Sequence, residues 1–224
     1  MRTVNFKVFF EEQFLPSIGK DPLDFAVGTG DGNRMLGYVN DALADAFRNA
    51  FWSEHMVIEE RTPGDDYEVD WTATGKTDID AIEGFFATEQ DARDIKGHLN
   101  FSEGPGGFRV FGAPSTVWAR IRPYPPVFSR TQWLIGTAYI LNNTAYTATL
   151  GKCWRCVKAN TGNNPETDDG TNWEEVLFPE EFVPFVKAKA SAPNYMFENQ
   201  FEQSGRKESK AEEILFYLKK SKGR

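Results

Sequence analysis

The residue types that most often carry catalysis are scarce in this sequence. Its 224 residues include only two histidines, His55 and His98, and neither lies in a nucleophile or metal motif. The sequence has neither a Gly-x-Ser-x-Gly elbow nor a His-Glu-x-x-His zinc pattern. Acid–base and zinc catalysis both need such groups at defined spacings. We therefore predict that the protein is not an enzyme and has no catalytic, cofactor-binding or metal-binding residues.

Two glycine-containing segments match phosphate-binding loops only in part. Residues 74–77 end in Gly-Lys-Thr, but the position five residues before Gly75 is Asp70 instead of glycine. A carboxylate at that position would repel phosphate, so we predict a hairpin turn there. The glycines at positions 28, 30 and 32 predict a flexible turn before a helix cap.

Cys153 and Cys156 have the spacing of a redox pair or of half a zinc site. Thioredoxin-type chemistry places the first cysteine at a helix start, and zinc needs two further ligands, which the nearby sequence does not supply. On a β-strand, positions i and i+3 point to opposite faces. We therefore predict that the two sulfurs do not converge.

An acidic segment close to these cysteines has two interpretations. Its oxygen-bearing side chains, Glu166, Asp168, Asp169 and Asn172, have the types that coordinate calcium. Asn164-Pro165 and Asp169-Gly170 are also ordinary turn sequences. The sequence leaves a calcium site and a structural loop as alternatives, and the loop is favoured.

The charge of the chain is unevenly distributed. The formal net charge is −8, yet the last twenty residues hold seven Lys or Arg and only three Glu. A small basic tail thus follows an acidic body. The acidic body does not favour coating of nucleic acid by the whole protein, because neutralising phosphates needs a basic face.

No segment of the sequence has the length of a membrane helix. The longest apolar stretch, residues 133–141, has about nine residues, whereas a membrane span needs roughly twenty. The chain turns acidic at Glu11 before any long apolar region and lacks the design of a secretory signal. We expect a protein without membrane association that is made in a cytoplasm.

Hydrophobic spacing predicts an α+β fold. One helix is predicted from about Thr3 to Leu15 and a second from near Asp31 to near Trp52. Residues 57–122 are predicted to form short strands separated by turns, and the last of these strands should bury alternate residues. The stripe of the second helix comprises Leu36, Val39, Leu43, Ala46, Phe47, Ala50 and Phe51, and the buried side of the last strand comprises Val117, Ala119 and Ile121.

The sequence predicts three parts. Residues 1–127 form N-terminal helices with a central antiparallel β region, residues 128–178 form an inserted small all-β module, and residues 179–224 form C-terminal helices that complete the helical core. Pro184 and Pro193 predict a helix that begins near one proline or kinks at the other. Ser204-Gly205 predicts a turn before a final helix striped by Ala211, Ile214, Leu215 and Leu218.

The middle module has a recurring aromatic pattern. The pattern begins with Trp133 and an Ala-Tyr pair ending in Tyr139. It continues with a Gly-Lys-Cys-Trp-Arg-Cys strand from Gly151 and ends with Pro165 and a closing Trp173. This pattern resembles the small β module of chitin-binding (family 5/12) carbohydrate-binding domains. The resemblance implies that exposed aromatic rings stack on saccharides, and the candidates are Trp133, Tyr139, Trp154 and Trp173. Trp173 fits a mini-core as well as a binding platform.

The wider order of elements resembles the head-to-tail adaptor (connector) proteins in the necks of tailed bacteriophages. The resemblance rests on the order of the elements. An amphipathic helix of the type beginning at Leu36 comes first, strands follow it, and the module and terminal helices around Ala211 come last. The resemblance implies a homo-oligomeric virion ring, a dodecamer, beneath the portal protein. Its terminal helices would dock on the portal, its lower face would receive the next neck or tail protein, and packaged DNA would pass through without sequence-specific binding.

The large number of aromatic residues is compatible with such an assembly. Nineteen Phe, six Trp and seven Tyr exceed what one modest core requires, and surplus aromatics commonly anchor interfaces. Two small cores are the alternative explanation. The predicted portal or protomer contacts are Phe185, Tyr195, Phe197, Phe201, Ile214, Leu215, Phe216, Tyr217 and Leu218. The alternative function is a carbohydrate-binding virion or surface protein that uses residues 128–178.

Overall fold

The fold belongs to the α+β class, as predicted. The structure is a computed structural model that describes residues 2–49, 56–64, 68–70, 79–89, 97–104 and 107–222. Within these ranges it combines helices with several antiparallel sheets. The helices are a π-helix at Lys7–Phe14 that runs on into α1 (Leu15–Ser17), then α2 (Gly30–Arg48), a 3-10 turn at Glu180–Phe182, α3 (Val183–Phe197) and α4 (Phe201–Lys222).

The strands are mostly short. They are β1 (Thr3–Val4), β2 (Val57–Arg61), β3 (Glu68–Asp70), β4 (Ile79–Phe86), β5 (His98–Leu99), β6 (Phe101–Gly104), β7 (Gly107–Val110), β8 (Val117–Pro123), β9 (Ala138–Tyr139), β10 (Thr144–Thr147), β11 (Lys152–Cys156), β12 (Asn160–Thr161), β13 (Trp173–Glu175) and β14 (Phe178–Pro179). Among the described helices, none has the length and apolar character that a membrane crossing requires.

The chain divides into two compact units. One contains residues 1–50 and 125–224, and the other contains residues 51–124. The units meet in the sequence at residues 50/51 and 124/125, the second close to the predicted boundary after residue 127, and neither falls at residue 178. In the structure, residues 128–178 share a unit with the helices, because phenylalanine rings from both parts pack in one core.

The unit of residues 51–124 contains two antiparallel sheets. Their strand orders are β2-β8-β4-β5 and β3-β7-β6. In β8 the side chains of Val117, Ala119 and Ile121 are buried, which confirms the predicted alternation. Arg120 is also buried, and its guanidinium lies 5.1 Å from the centre of the Phe86 ring.

The first residues of the chain form a strand, contrary to the prediction of a helix from about Thr3. Thr3 and Val4 pair with Pro179 and Phe178 of β14, and helix begins only at Lys7. The strand closes a small antiparallel pair with β14, and of its two residues Val4 is buried and Thr3 is exposed. The Asn5 side chain accepts a hydrogen bond from Val8 N at 3.1 Å where the helix starts.

A cluster of phenylalanine rings holds the larger unit together. Phe6 lies 5.2 Å from Phe128 and 5.2 Å from Tyr146, and Phe9 lies 5.0 Å from Phe178, measured between ring centres. Their edge-to-face arrangement is the favoured geometry for aromatic pairs. The N-terminal helix is thereby fixed against both ends of the β module.

Helix α2 has the predicted stripe of buried residues. Leu36, Val39, Leu43, Ala46 and Phe47 are buried, while Ala50 and Phe51 lie outside the described residues. The helix starts at Gly30, next to the predicted position, and ends at Arg48, before the predicted end near Trp52.

The glycine-rich turn precedes the cap of α2, as predicted. Thr29 is the N-cap residue, and its Oγ1 accepts a hydrogen bond from Gly32 N at 3.0 Å. Gly28 has a φ of 97°, a left-handed conformation that suits glycine.

Helices α3 and α4 form an antiparallel hairpin. Pro184 lies in the first turn of α3, as predicted for one proline, and Pro193 lies inside the helix. The predicted turn at Ser204-Gly205 is wrong, since both residues are in α4. The reversal occurs at Asn199, which has a φ of 59°, and Gln200 N donates to Tyr195 O at 2.8 Å in a Schellman motif.

The packing at the start of α2 predicts a difference between two neighbouring glycines. A Cβ at Gly32 would lie 2.2 Å from the Ala26 carbonyl oxygen, whereas a Cβ at Gly30 would meet nothing within 4 Å. We expect Gly32→Ala to lower the free energy of unfolding by about 1–3 kcal/mol. The matched Gly30→Ala should be neutral or stabilising by up to about 1 kcal/mol. Urea unfolding of both variants tests this, and equal effects would contradict it.

Candidate interaction surface

The residues considered for catalysis lie in ordinary structural positions where they are described. His98 is in β5, its Nδ1 lies 3.1 Å from Leu99 O, and its ring contacts Phe86. His55 and residues 74–77, with the predicted hairpin turn, lie outside the described residues. Within the described ranges, no group of three or more His, Cys, Asp or Glu side chains is placed to hold a metal ion.

The two cysteines are buried free thiols on β11. Burial raises the pKa of Cys153 to about 12, and Cys156 also has a pKa raised by burial. Cys156 packs in a cluster with Tyr139, Ala145 and Trp173, and its thiol lies 3.1 Å from Lys158 O. Thiols held protonated in this way are poor nucleophiles and serve packing.

Two of the four predicted sugar-stacking rings are inside the module. Tyr139 and Trp173 are 7% and 1% exposed, and their rings meet edge to face at 4.9 Å. Trp173 also donates its Nε1 hydrogen to Asn163 O at 2.9 Å. Their faces are covered by protein, so of the two roles open to Trp173 the structure places it in the mini-core.

The other two rings are half-buried against the same cluster. Trp154 Nε1 donates to Thr147 Oγ1 at 3.0 Å, and Lys152 Nζ lies 5.5 Å from the centre of its ring. A saccharide platform needs at least two exposed rings in one plane. None of the four candidates, Trp133 included, is an exposed residue, so this geometry does not favour sugar stacking.

The acidic segment of the module is a hydrogen-bonded loop. The carboxylate of Asp168 accepts from the backbone N–H groups of Gly170, Asn172 and Trp173 at 2.9–3.0 Å and from the Asn172 side chain at 2.8 Å. Desolvation alone would raise the pKa of Asp168, but these hydrogen bonds outweigh it and lower that pKa. Its oxygens thus have partners within the loop and support β13.

The predicted portal or protomer contacts at the α3–α4 turn divide by exposure. Phe185 is 3% exposed and belongs to the core, so its place among the interface candidates is corrected: it has no surface for a partner. Tyr195 is half-buried beneath Lys207. Phe197 and Phe201 are 59% and 63% exposed, and the Arg34 guanidinium lies 4.0 Å from the Phe197 ring centre.

The candidates on α4 face two directions. Ile214, Leu215 and Leu218 are half-buried on the side of the buried Ala211, towards α3. Phe216 and Tyr217 are 61% and 59% exposed, and their rings touch each other at 5.8 Å. Since α4 has 22 residues and α3 has 15, α4 is longer by about 10 Å at 1.5 Å per residue.

Two turns of the module expose aliphatic residues that sequence reasoning missed. Leu134 and Ile135 are 59% and 80% exposed, and Ile140 is 64% exposed. Gly136, with a φ of 84°, and Asn142, with a φ of 67°, shape these turns. The signal for these turns in the sequence was Gly136 within the apolar run of residues 133–141 and Asn142 directly after it.

No protein-family model matches the chain, and a search of curated proteins finds no significant match. The functional argument therefore rests on the residues and geometry described above.

The Asp168 loop predicts a pH dependence. Because the folded-state pKa is lowered, the stabilisation is fully present above the unfolded pKa of about 3.9 and is lost as the pH falls through the folded value. Asp168→Asn should lower the free energy of unfolding by about 1 kcal/mol at pH 7, and the difference from wild type should shrink below about pH 4.

Urea unfolding between pH 3 and pH 7 measures this difference. Asp24→Asn is the control, because it makes the same change at an exposed aspartate outside this loop. A gap between Asp168→Asn and wild type that does not change with pH would contradict the assignment.

Proposed function

We propose that the protein is a structural virion protein, the head-to-tail adaptor that joins the portal to the tail of a tailed bacteriophage. In this role it acts as a homo-oligomeric ring, a dodecamer, and not as an enzyme. The observation that carries the proposal is the α3–α4 hairpin, which exposes Met196, Phe197 and Phe201 around its turn and Phe216 and Tyr217 near the far end of α4. Soluble monomers rarely leave large apolar groups clustered at the surface without a partner.

The mechanism is assembly. Helix α4 packs mainly on α3, and its apolar residues at positions 216 and 217 remain available to another protein. Burying a side chain of this size stabilises an interface by about 1.5–3 kcal/mol. Repeated around a ring, contacts of this kind give stable attachment to the portal and to the neighbouring neck or tail protein, because binding is multivalent.

The charge of the chain suits a conduit for DNA. With a net charge of −8, the protein has no excess of cations to neutralise phosphates. Packaged DNA would therefore slide through the ring without being held. The protein would be made in the host cytoplasm and reside at the head–tail junction of the virion.

Native mass spectrometry of the protein, alone and mixed with the portal protein of the same phage, tests the proposal. We expect a ring, or recruitment to the portal. The double variant Phe216→Ser/Tyr217→Ser should remain folded, because both side chains are exposed, and should lose at least about tenfold in recruitment.

The control is Leu23→Ser, which removes an 87% exposed apolar side chain far along the sequence from the hairpin and should assemble as wild type does. A wild-type monomer that ignores the portal would overturn the proposal. If that monomer were also retained on chitin or cell-wall glycan, a carbohydrate-binding role would take its place.

A further inference from the structure

A groove lies where α2, α3 and the first turns of α4 meet. Its volume is about 310 Å³. The groove is half open, so a side chain from outside can enter it. The residues that line it, called here the hairpin groove, are Tyr38, Asp41, Ala42, Asp45, Lys189, Pro193, Met196, Ser204 and Glu208.

The hairpin groove carries more negative than positive charge. Three carboxylates line it, from Asp41, Asp45 and Glu208, against the single ammonium of Lys189. Lys189 Nζ donates to Glu208 Oε1 at 2.7 Å and lies 3.8 Å from Asp45 Oδ2. Asp41 is exposed and has no ion-pair partner in the described part of the chain. An occupant with two positive charges would balance the groove.

The edge of the groove is apolar. Met196 lines it, and Phe197 and Phe201 follow on either side of the turn between α3 and α4. Phe201, Ser204 and Glu208 share one face of α4, because they are spaced at i, i+3 and i+7. The groove therefore suits an occupant that presents aromatic and basic groups side by side.

The far part of α4 presents those groups. Phe216, Tyr217, Lys219 and Lys220, called here the α4 end, are all exposed. At 100° per residue, Phe216, Tyr217 and Lys220 lie on the side of the helix opposite the buried Ala211. The α4 end thus offers two aromatic rings and the Lys220 ammonium on its outer side, with the exposed Lys219 at the flank.

The α4 end cannot fill the groove of its own chain. Glu208 and Lys219 are eleven residues apart in one continuous helix, which separates them by about 16 Å along the axis. A helix cannot fold back on itself over this distance without breaking. If an α4 end fills a hairpin groove, the two therefore belong to different molecules.

We propose that the α4 end of one copy occupies the hairpin groove of a second copy, with Lys219 and Lys220 against Asp41 and Asp45 and with Phe216 and Tyr217 over the apolar edge. The contact joins two different surfaces of the same protein. Such head-to-tail contacts generate closed rings when the rotation between copies closes. The inference rests on the proposed function and deepens it by assigning Phe216 and Tyr217 to the contact between neighbouring protomers, whose loss would weaken recruitment to the portal because multivalent attachment needs the ring.

Charge reversal tests this contact. The double variant Asp41→Lys/Asp45→Lys inverts the groove from three carboxylates and one ammonium to one carboxylate and three ammonium groups, and it keeps the bond from Lys189 to Glu208. Lys219→Glu/Lys220→Glu inverts the α4 end. Each variant alone should self-associate at least about tenfold more weakly than wild type, because like charges then face each other. Glu12→Lys/Asp24→Lys makes the same change of charge at two exposed residues outside the groove and should assemble normally.

Mixing the two variants gives the decisive measurement. Each variant then supplies the surface that fits the inverted surface of the other, so mixed oligomers should form in which the two variants alternate. Native mass spectrometry with one variant labelled with ¹⁵N would show equal numbers of both. Circular dichroism of each variant confirms that loss of assembly is not loss of folding.

The outcomes separate this inference from the proposed function. If wild type forms rings and both variants also form them alone, or the mixture restores nothing, the groove contact is overturned and the neck role stands. If wild type does not associate either alone or on the portal, both proposals fail.

Discussion

The phenylalanine core of the larger unit determines where every other part of that unit lies. Phe6 and Phe9 project from the N-terminal helix and contact Phe128 at the start of the β module and Phe178 at its end. Phe128 and Phe178 also meet each other, with ring centres 5.8 Å apart. Burial of such large apolar rings is the main favourable term in folding, so the module cannot move independently of the helices.

This core positions the helical hairpin at the other end of the chain. Phe178 begins β14, which pairs with β1, and Glu180 N then donates to Arg2 O at 3.1 Å. Phe182 contacts Phe47 of α2 at 5.3 Å, which sets α3 against α2. Helix α4 comes last and finds α3 as its main partner, so its outer face and far end stay uncovered. The exposed aromatics of α4 are a consequence of this order of packing.

The periodicity of apolar residues correctly predicted the elements whose packing is regular. It failed where contacts between distant residues determine the local structure. The stripe of α2 and the alternation in β8 follow directly from the spacing of apolar residues. The turn assigned to Ser204-Gly205 was wrong because Ser204 Oγ donates to Ala192 O across the hairpin, while Asn199 takes the left-handed position. A glycine inside a helix costs only about 1 kcal/mol relative to alanine, so the contacts between α4 and α3 outweigh the low helix propensity of Gly205. The sequence also could not distinguish a core Trp173 from an exposed one, since aromatic spacing is the same in both cases.

An acidic protein that assembles with itself must overcome repulsion between its copies. Each chain carries −8, so the net charges of two copies repel, and favourable orientations place basic groups of one copy against carboxylates of the other. The last twenty residues hold seven of the 25 Lys and Arg in the chain, and Lys219 and Lys220 lie beside the exposed Phe216 and Tyr217. Charge then selects the orientation while apolar burial supplies the affinity, a division of roles typical of specific interfaces. One helix end can in this way make self-association directional in a chain whose overall charge opposes it.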